Sequence, residues 1–135
     1  MKYYINGIKN YALFSGRASR QEFWMFFLFN LMFAVLAMIL DHIFGTTFTI
    51  YGTSLPYGYI YLFYWLFVLI PGLAIQTRRL HDVGKSGWFL FICLIPIAGG
   101  IWLLVLLCTD STYGINKYGP NPKGLGNNQF DSIDI

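Results

Sequence analysis

The chain has little charge, few cysteines and no repeated set of catalytic side chains, and each shortage closes off a class of function. Only 11% of its 135 residues are Asp, Glu, Lys or Arg, against roughly a quarter in a soluble domain. A nucleic-acid footprint needs Lys and Arg clustered on a solvated face. The nine basic residues here stand instead at the ends of apolar runs, so no nucleic-acid partner is expected. Metal catalysis takes about three protein ligands, and the chain has two histidines, His42 and His81, in different connecting segments. The two cysteines, Cys93 and Cys108, share one apolar run. On a straight helix they would be about 22 Å apart, far outside disulfide range, and they read as small apolar side chains in a membrane helix. No small-residue cleavage pattern follows the first apolar run, which is expected to stay as an anchor.

What the chain has in quantity is apolar and aromatic surface, 56% and 20% of residues, which excludes disorder. Three uncharged runs organise it, and they predict an all-α integral membrane protein with three transmembrane helices over about 20–42, 57–77 and 87–108. An N-terminal segment, Met1 to Phe14, carries Tyr4, Ile8, Tyr11 and Ala12 at helical spacing and suits a short helix lying in the interface. Ser19 and Glu22 stand three apart before the first run and form a capping box, which starts that helix near Ser19. Asp41 and His42 read as its interfacial end. Gly45 to Tyr57 reads as a loop with some β character. Residues 1–124 are expected to form one helical membrane domain, with turns after Asp110 and a flexible tail over 125–135.

Two runs contain residues that disturb a helix. Pro71-Gly72 falls inside the second, where proline lacks an N–H and crowds the carbonyl of Phe67, and a kink is expected. Pro96 and Gly99-Gly100 fall near the centre of the third. Either that run spans with a kink, the expected arrangement, or it folds back as a re-entrant hairpin, since neither half alone could cross.

Between the second and third runs lies the densest charge in the chain, Arg78, Arg79, His81, Asp82 and Lys85. With three spans it shares a membrane side with Arg17, Arg20 and Glu22. Glu22 can then reach Arg78 or Arg79, and Asp82 an arginine of its own turn, as a structural clasp; alternatively the arginines and Lys85 form a site for anionic lipid headgroups. Seven basic residues on this side against Lys117 and Lys123 on the other predict a cytoplasmic N-terminus and an outer C-terminus. A hairpin in place of the third span would put all nine inside.

Three stretches, in order, carry a resemblance: Phe14-Ser-Gly-Arg-Ala-Ser-Arg-Gln-Glu-Phe-Trp24, Arg78-Arg-Leu-His-Asp-Val-Gly-Lys-Ser-Gly-Trp88, and the turn motif with Gly114, Asn116, Tyr118, Gly119, Pro120 and Pro122. They resemble the small bacterial inner-membrane proteins grouped as domain of unknown function 805. The resemblance implies a helical protein of the bacterial inner membrane and brings no activity, substrate or catalytic residue with it. The function expected from the residues is therefore non-enzymatic, with no catalytic or metal-ligating set and no cofactor. Association in the membrane with itself, with a larger complex or with anionic lipid is expected, and a small oligomeric transporter or channel component is the alternative. The runs carry no ionisable residue at mid-depth, where transport sites usually show one.

Overall fold

A computed structural model describes residues 2–10 and 12–127; Met1, Tyr11 and the outer part of the expected tail, 128–135, lie outside them, as do the side chains of Tyr3 and Tyr4. The element order is α1 (Lys2–Lys9), α2 (Arg20–Phe44), β1 (Thr47–Ile50), β2 (Thr53–Gly58), α3 (Tyr59–Asp82), a 3-10 segment (Gly87–Leu94) and α4 (Ala98–Cys108). The fold is mostly helical, and α2 and α3 are the two helices long and apolar enough to cross a membrane among the described residues. At 25 and 24 residues each reaches over 35 Å, roughly, against about 30 Å of hydrocarbon.

Helix α2 begins where its cap chemistry sets it. Ser19 is the N-cap and its Oγ accepts from the Glu22 backbone N–H at 3.2 Å. The Glu22 carboxylate turns to Arg78 instead. The α2 and α3 helices pack antiparallel around a β-hairpin whose two-residue turn, Tyr51-Gly52, has both φ angles positive, 50° and 79°, as the tight hairpin turn with right-handed twist demands. The segment expected as a loop with some β character is thus a paired two-stranded hairpin. Between the helices, Tyr64 Oη donates to Asn30 Oδ1 at 2.6 Å, a side-chain bond that is useful where lipid offers no partner. Helix α3 runs on through Pro71 and Gly72 to Asp82, with Pro71 buried. Near the clasp end, Ala18, Phe23, Phe26, Ile75 and Leu107 form the apolar core, and Ile8 of α1 packs against it.

The third apolar run is not one helix, which corrects the expected span. Its first half is the eight-residue 3-10 segment and its second the eleven-residue α4, each about 16 Å long at 2.0 and 1.5 Å per residue. Each half reaches only about half of the ~30 Å hydrocarbon depth, and the two pack against one another. The reversal is built at Pro96-Ile97. Pro96 has no N–H to continue a helix, and Ile97, at φ 64° and ψ −64°, sits in a three-residue turn closed by the Ala98 N–H on the Pro96 carbonyl at 2.7 Å. Gly99 permits the fold-back, since a Cβ there would lie 1.7 Å from the Ile92 carbonyl oxygen. The N–H groups of Ile95, Gly99 and Ile101 all find carbonyls nearby, so the turn needs no water to satisfy them.

Because the run reverses, the C-terminal segment returns to the end it started from. The expectation that it lies across the membrane from the arginine cluster is corrected by direct contact, described next. The described part of the tail is also tied down: the Leu125 carbonyl accepts from Gly114 N–H at 2.9 Å, and Asn127 Oδ1 from Asn121 N–H at 2.7 Å.

Candidate functional site

The charged residues picked out in the sequence converge where α2 begins, α3 ends and α4 ends. Helix α3 closes in a glycine C-cap, with Gly84 at φ 78° donating to the His81 carbonyl and Lys85 N–H to the Leu80 carbonyl. This leaves Asp82 on the last turn facing inward, and its side chain is fully buried. One carboxylate oxygen, Oδ1, accepts from Arg17 Nε at 2.8 Å and the other from Arg79 Nη1 at 2.6 Å, with Ser111 Oγ also donating to Oδ2.

Each arginine then carries a second task. Arg17 Nη1 donates to the carbonyls of Gly114 (2.8 Å) and Gly119 (3.2 Å), and Nη2 to that of Thr112 (2.7 Å) and to its Oγ1 (3.1 Å). Arg79 Nε donates to the Leu107 carbonyl at 3.1 Å, and Nη2 to that of Thr109. A helix leaves its last four carbonyls without internal partners, and at the end of α4 Arg79 donates to one of them, Leu107, and to the C-cap Thr109. The turn motif does the same for α3. Thr112 N–H reaches the Asp82 carbonyl at 2.9 Å, and Asn116 Nδ2 the His81 carbonyl at 2.9 Å. Asn116 and Asn121 each bond to the backbone two residues on, at Tyr118 and Lys123, which fixes the turns. His81 rests on Tyr118, ring centroids 3.9 Å apart, with Nδ1 placed 3.0 Å from the Gly16 carbonyl.

Around this buried centre the remaining charges differ in kind. Arg78 pairs with Glu22 at 3.3 Å and is nearly buried. Arg20 meets Asp110 at 3.5 Å on the exposed rim. The hydrogen bond from Lys123 Nζ at 2.6 Å, helped by the Ser111 N–H, holds the Asp110 carboxyl below its ordinary range. Lys85 stands apart, its ammonium 5.5 Å from the Phe89 ring centre. Ser86 caps the 3-10 segment by accepting from Trp88 N–H at 3.3 Å, and with Thr77, His81 and Trp88 it lines a cleft of about 450 Å³.

Arg17, Glu22, Arg78, Arg79, His81 and Asp82 are thus brought together, with Arg20 at the edge and Lys85 outside. The helix breaks are remote from them: Pro71 and Gly72 lie within α3, while Pro96, Gly99 and Gly100 form the hairpin tip. Asp41 was missed. At the other end of the molecule it is fully buried, and its carboxylate accepts from the N–H groups of Gly58, Ile60 and Tyr61, each at 2.9 Å, and from Thr46 Oγ1 at 2.5 Å. Supplied by α2, it acts as the N-terminal cap of α3, whose own N-cap residue, Gly58, makes no side-chain cap bond. The signal available was an acid at the end of an otherwise uncharged run.

Long apolar helices, a pinned hairpin and charge gathered at helix ends define the class, a small helical membrane protein. The chain belongs to the family described as Protein of unknown function (DUF805), whose match covers residues 11–120. It is 39% identical to the Inner membrane protein YhaI of Escherichia coli K12 over 123 residues, 91% of this chain and 97% of that one. It is 37% identical to the Inner membrane protein YhaH of the same strain, over 91% and 98%, and 28% identical to its Uncharacterized protein YiiR, over 83% and 87%. No solved structure matches.

Proposed function

We propose that this protein is a non-catalytic component of the bacterial inner membrane that works by association within the bilayer. In this reading α2 and α3 span, and 87–108 enters and leaves on one side. The clasp end then faces the cytoplasm. All nine Lys and Arg residues belong to segments at the clasp end and none to the hairpin segment Gly45–Gly58, the distribution the positive-inside rule favours. Both termini are then cytoplasmic.

The observation that carries the association reading is the half-depth hairpin. Its ends are fixed, by Arg79 at Leu107 and Thr109 and by the Ser86 cap, while many of its large side chains are exposed. Trp88, Leu94 and Ile97 are 77%, 74% and 84% exposed, and Phe91 and Trp102 are exposed beside them. An outward apolar wedge suits packing against another membrane helix, where van der Waals fit drives association. Cys93 offers a direct test because it is free and exposed on this hairpin. In native-lipid vesicles, Cys108→Ser protein treated with a short bifunctional thiol reagent should give covalent dimers, or adducts to a fixed partner, that the Cys93→Ser protein does not give. Equal products from the two variants would refute the reading.

The transporter or channel alternative draws on the same hairpin, since broken helices at mid-depth often line substrate paths. Solute or ion flux in reconstituted vesicles, above that of empty ones, would favour it.

A further inference from the structure

Three arginines are buried at the clasp end, and two have every guanidinium nitrogen engaged within the fold. Arg17 uses Nε, Nη1 and Nη2 on Asp82, Gly114, Gly119 and Thr112, and Arg79 uses all three nitrogens on Asp82, Leu107 and Thr109. Arg78 differs. It is 4% exposed, Nη1 meets Glu22 at 3.3 Å, and both Nε and Nη2 are buried with no hydrogen-bond partner among the described residues. Nε–H and the adjacent Nη2–H are the parallel donors on one edge of the guanidinium, the edge that matches two oxygens of a phosphate or carboxylate. The Glu22 contact is long for a charge-assisted pair, usually 2.7–2.9 Å, so it leaves this charge loosely matched. A buried donor without an acceptor is costly, and two parallel donors on one edge of a cation match the two oxygens of an oxyanion.

We propose that the Nε–Nη2 edge of Arg78 receives two oxygens of a phosphate group, supplied by the phosphodiester of an anionic phospholipid. The proposal rests on the membrane placement given above, which sets the last turn of α3 at headgroup depth. It narrows the headgroup site expected of the whole cluster to one side chain, because every guanidinium nitrogen of Arg17 and Arg79 already has a partner within the fold. Both nitrogens are buried, so entry requires a neighbouring segment to shift. Ile75 and Arg78, three apart, share a face of α3, and Ile8 of α1 packs against the cluster containing Ile75. This makes α1 the segment we assign as the cover of the site.

The test uses full-length protein and three ligand conditions: phosphatidylglycerol, phosphatidylcholine and inorganic phosphate. Retained lipid is counted by native mass spectrometry, and thermal unfolding is followed in each condition. Wild type should retain phosphatidylglycerol over phosphatidylcholine, and Arg78→Lys, which keeps the charge but not the paired donors, should lose about tenfold in retention. Stabilisation by inorganic phosphate alone, absent in Arg78→Lys, would assign the same edge to free phosphate rather than lipid. Equal behaviour of wild type and Arg78→Lys in all conditions would overturn the proposal. If Arg78→Lys does not fold, wild type decides: a melting temperature unmoved by phosphatidylglycerol and by phosphate, relative to phosphatidylcholine and chloride, would also overturn it. Thiol labelling of a Val83→Cys variant reports the membrane side independently, so failure of the placement and failure of the site are distinguishable.

Discussion

Arg17 Nε donates to Asp82 Oδ1 at 2.8 Å, with both side chains at most 1% exposed, and this bond joins the segment before α2 to the last turn of α3. Asp82 also holds Arg79, so one carboxylate compensates two buried guanidinium groups. Removing one member of such a set strands the others without compensation. Asp82→Ala should therefore destabilise the protein by about 3–5 kcal/mol, read as early thermal unfolding in mild detergent. Asp82→Asn should fall between, since the amide oxygen can still accept from one arginine. A melting curve for Asp82→Ala that overlays the wild type would contradict the clasp.

Asp41 closes the start of α3 from the end of α2. Asp41→Ala should lower the melting temperature and speed proteolysis of the Gly45–Gly58 hairpin, because three N–H groups and Thr46 lose their acceptor. Gly58→Ala should act similarly for a steric reason, as its Cβ would lie 2.2 Å from the Thr46 carbonyl oxygen. Limited proteolysis of both variants checks this.

Gly99 and Gly100 are neighbours with opposite expectations. An added methyl at Gly99 meets the Ile92 carbonyl at 1.7 Å, whereas at Gly100 nothing stands within 4 Å. Gly99→Ala should separate the hairpin halves and weaken crosslinking through Cys93. Gly100→Ala should be neutral or stabilising by up to about 1 kcal/mol, the helix preference of Ala over Gly. Comparing crosslink yield and thermal stability of the pair checks both.

Single-cysteine variants at Val83 and Lys117 should be labelled from the same side of oriented vesicles, and one at Tyr51 from the other side. Labelling of Lys117→Cys together with Tyr51→Cys would restore the third span.

Much of the clasp was legible because its members are close in sequence or sit at caps. The pairings of Glu22 with Arg78 and Asp82 with Arg79 follow from helix ends meeting at one face. The bond from Arg17 to Asp82 crosses 65 residues, and its use of the Thr112, Gly114 and Gly119 carbonyls is invisible in residue type, since every residue has a carbonyl. Asp41 was passed over because an acid at a run's end looks the same whether it faces water or caps another helix.

The sequence by itself determined the membrane class, the two long helices, the cap at Ser19 and the break at Pro96, since these depend on local hydrophobicity, local hydrogen bonding and proline's missing N–H. Only the tertiary structure decided whether that break kinks a span or turns the chain back. The outcome depends on contacts between distant segments: Gly99 lying against Ile92, and Arg79 and Arg17 binding carbonyls of the returning chain, which hold the C-terminal segment at the end where α2 begins.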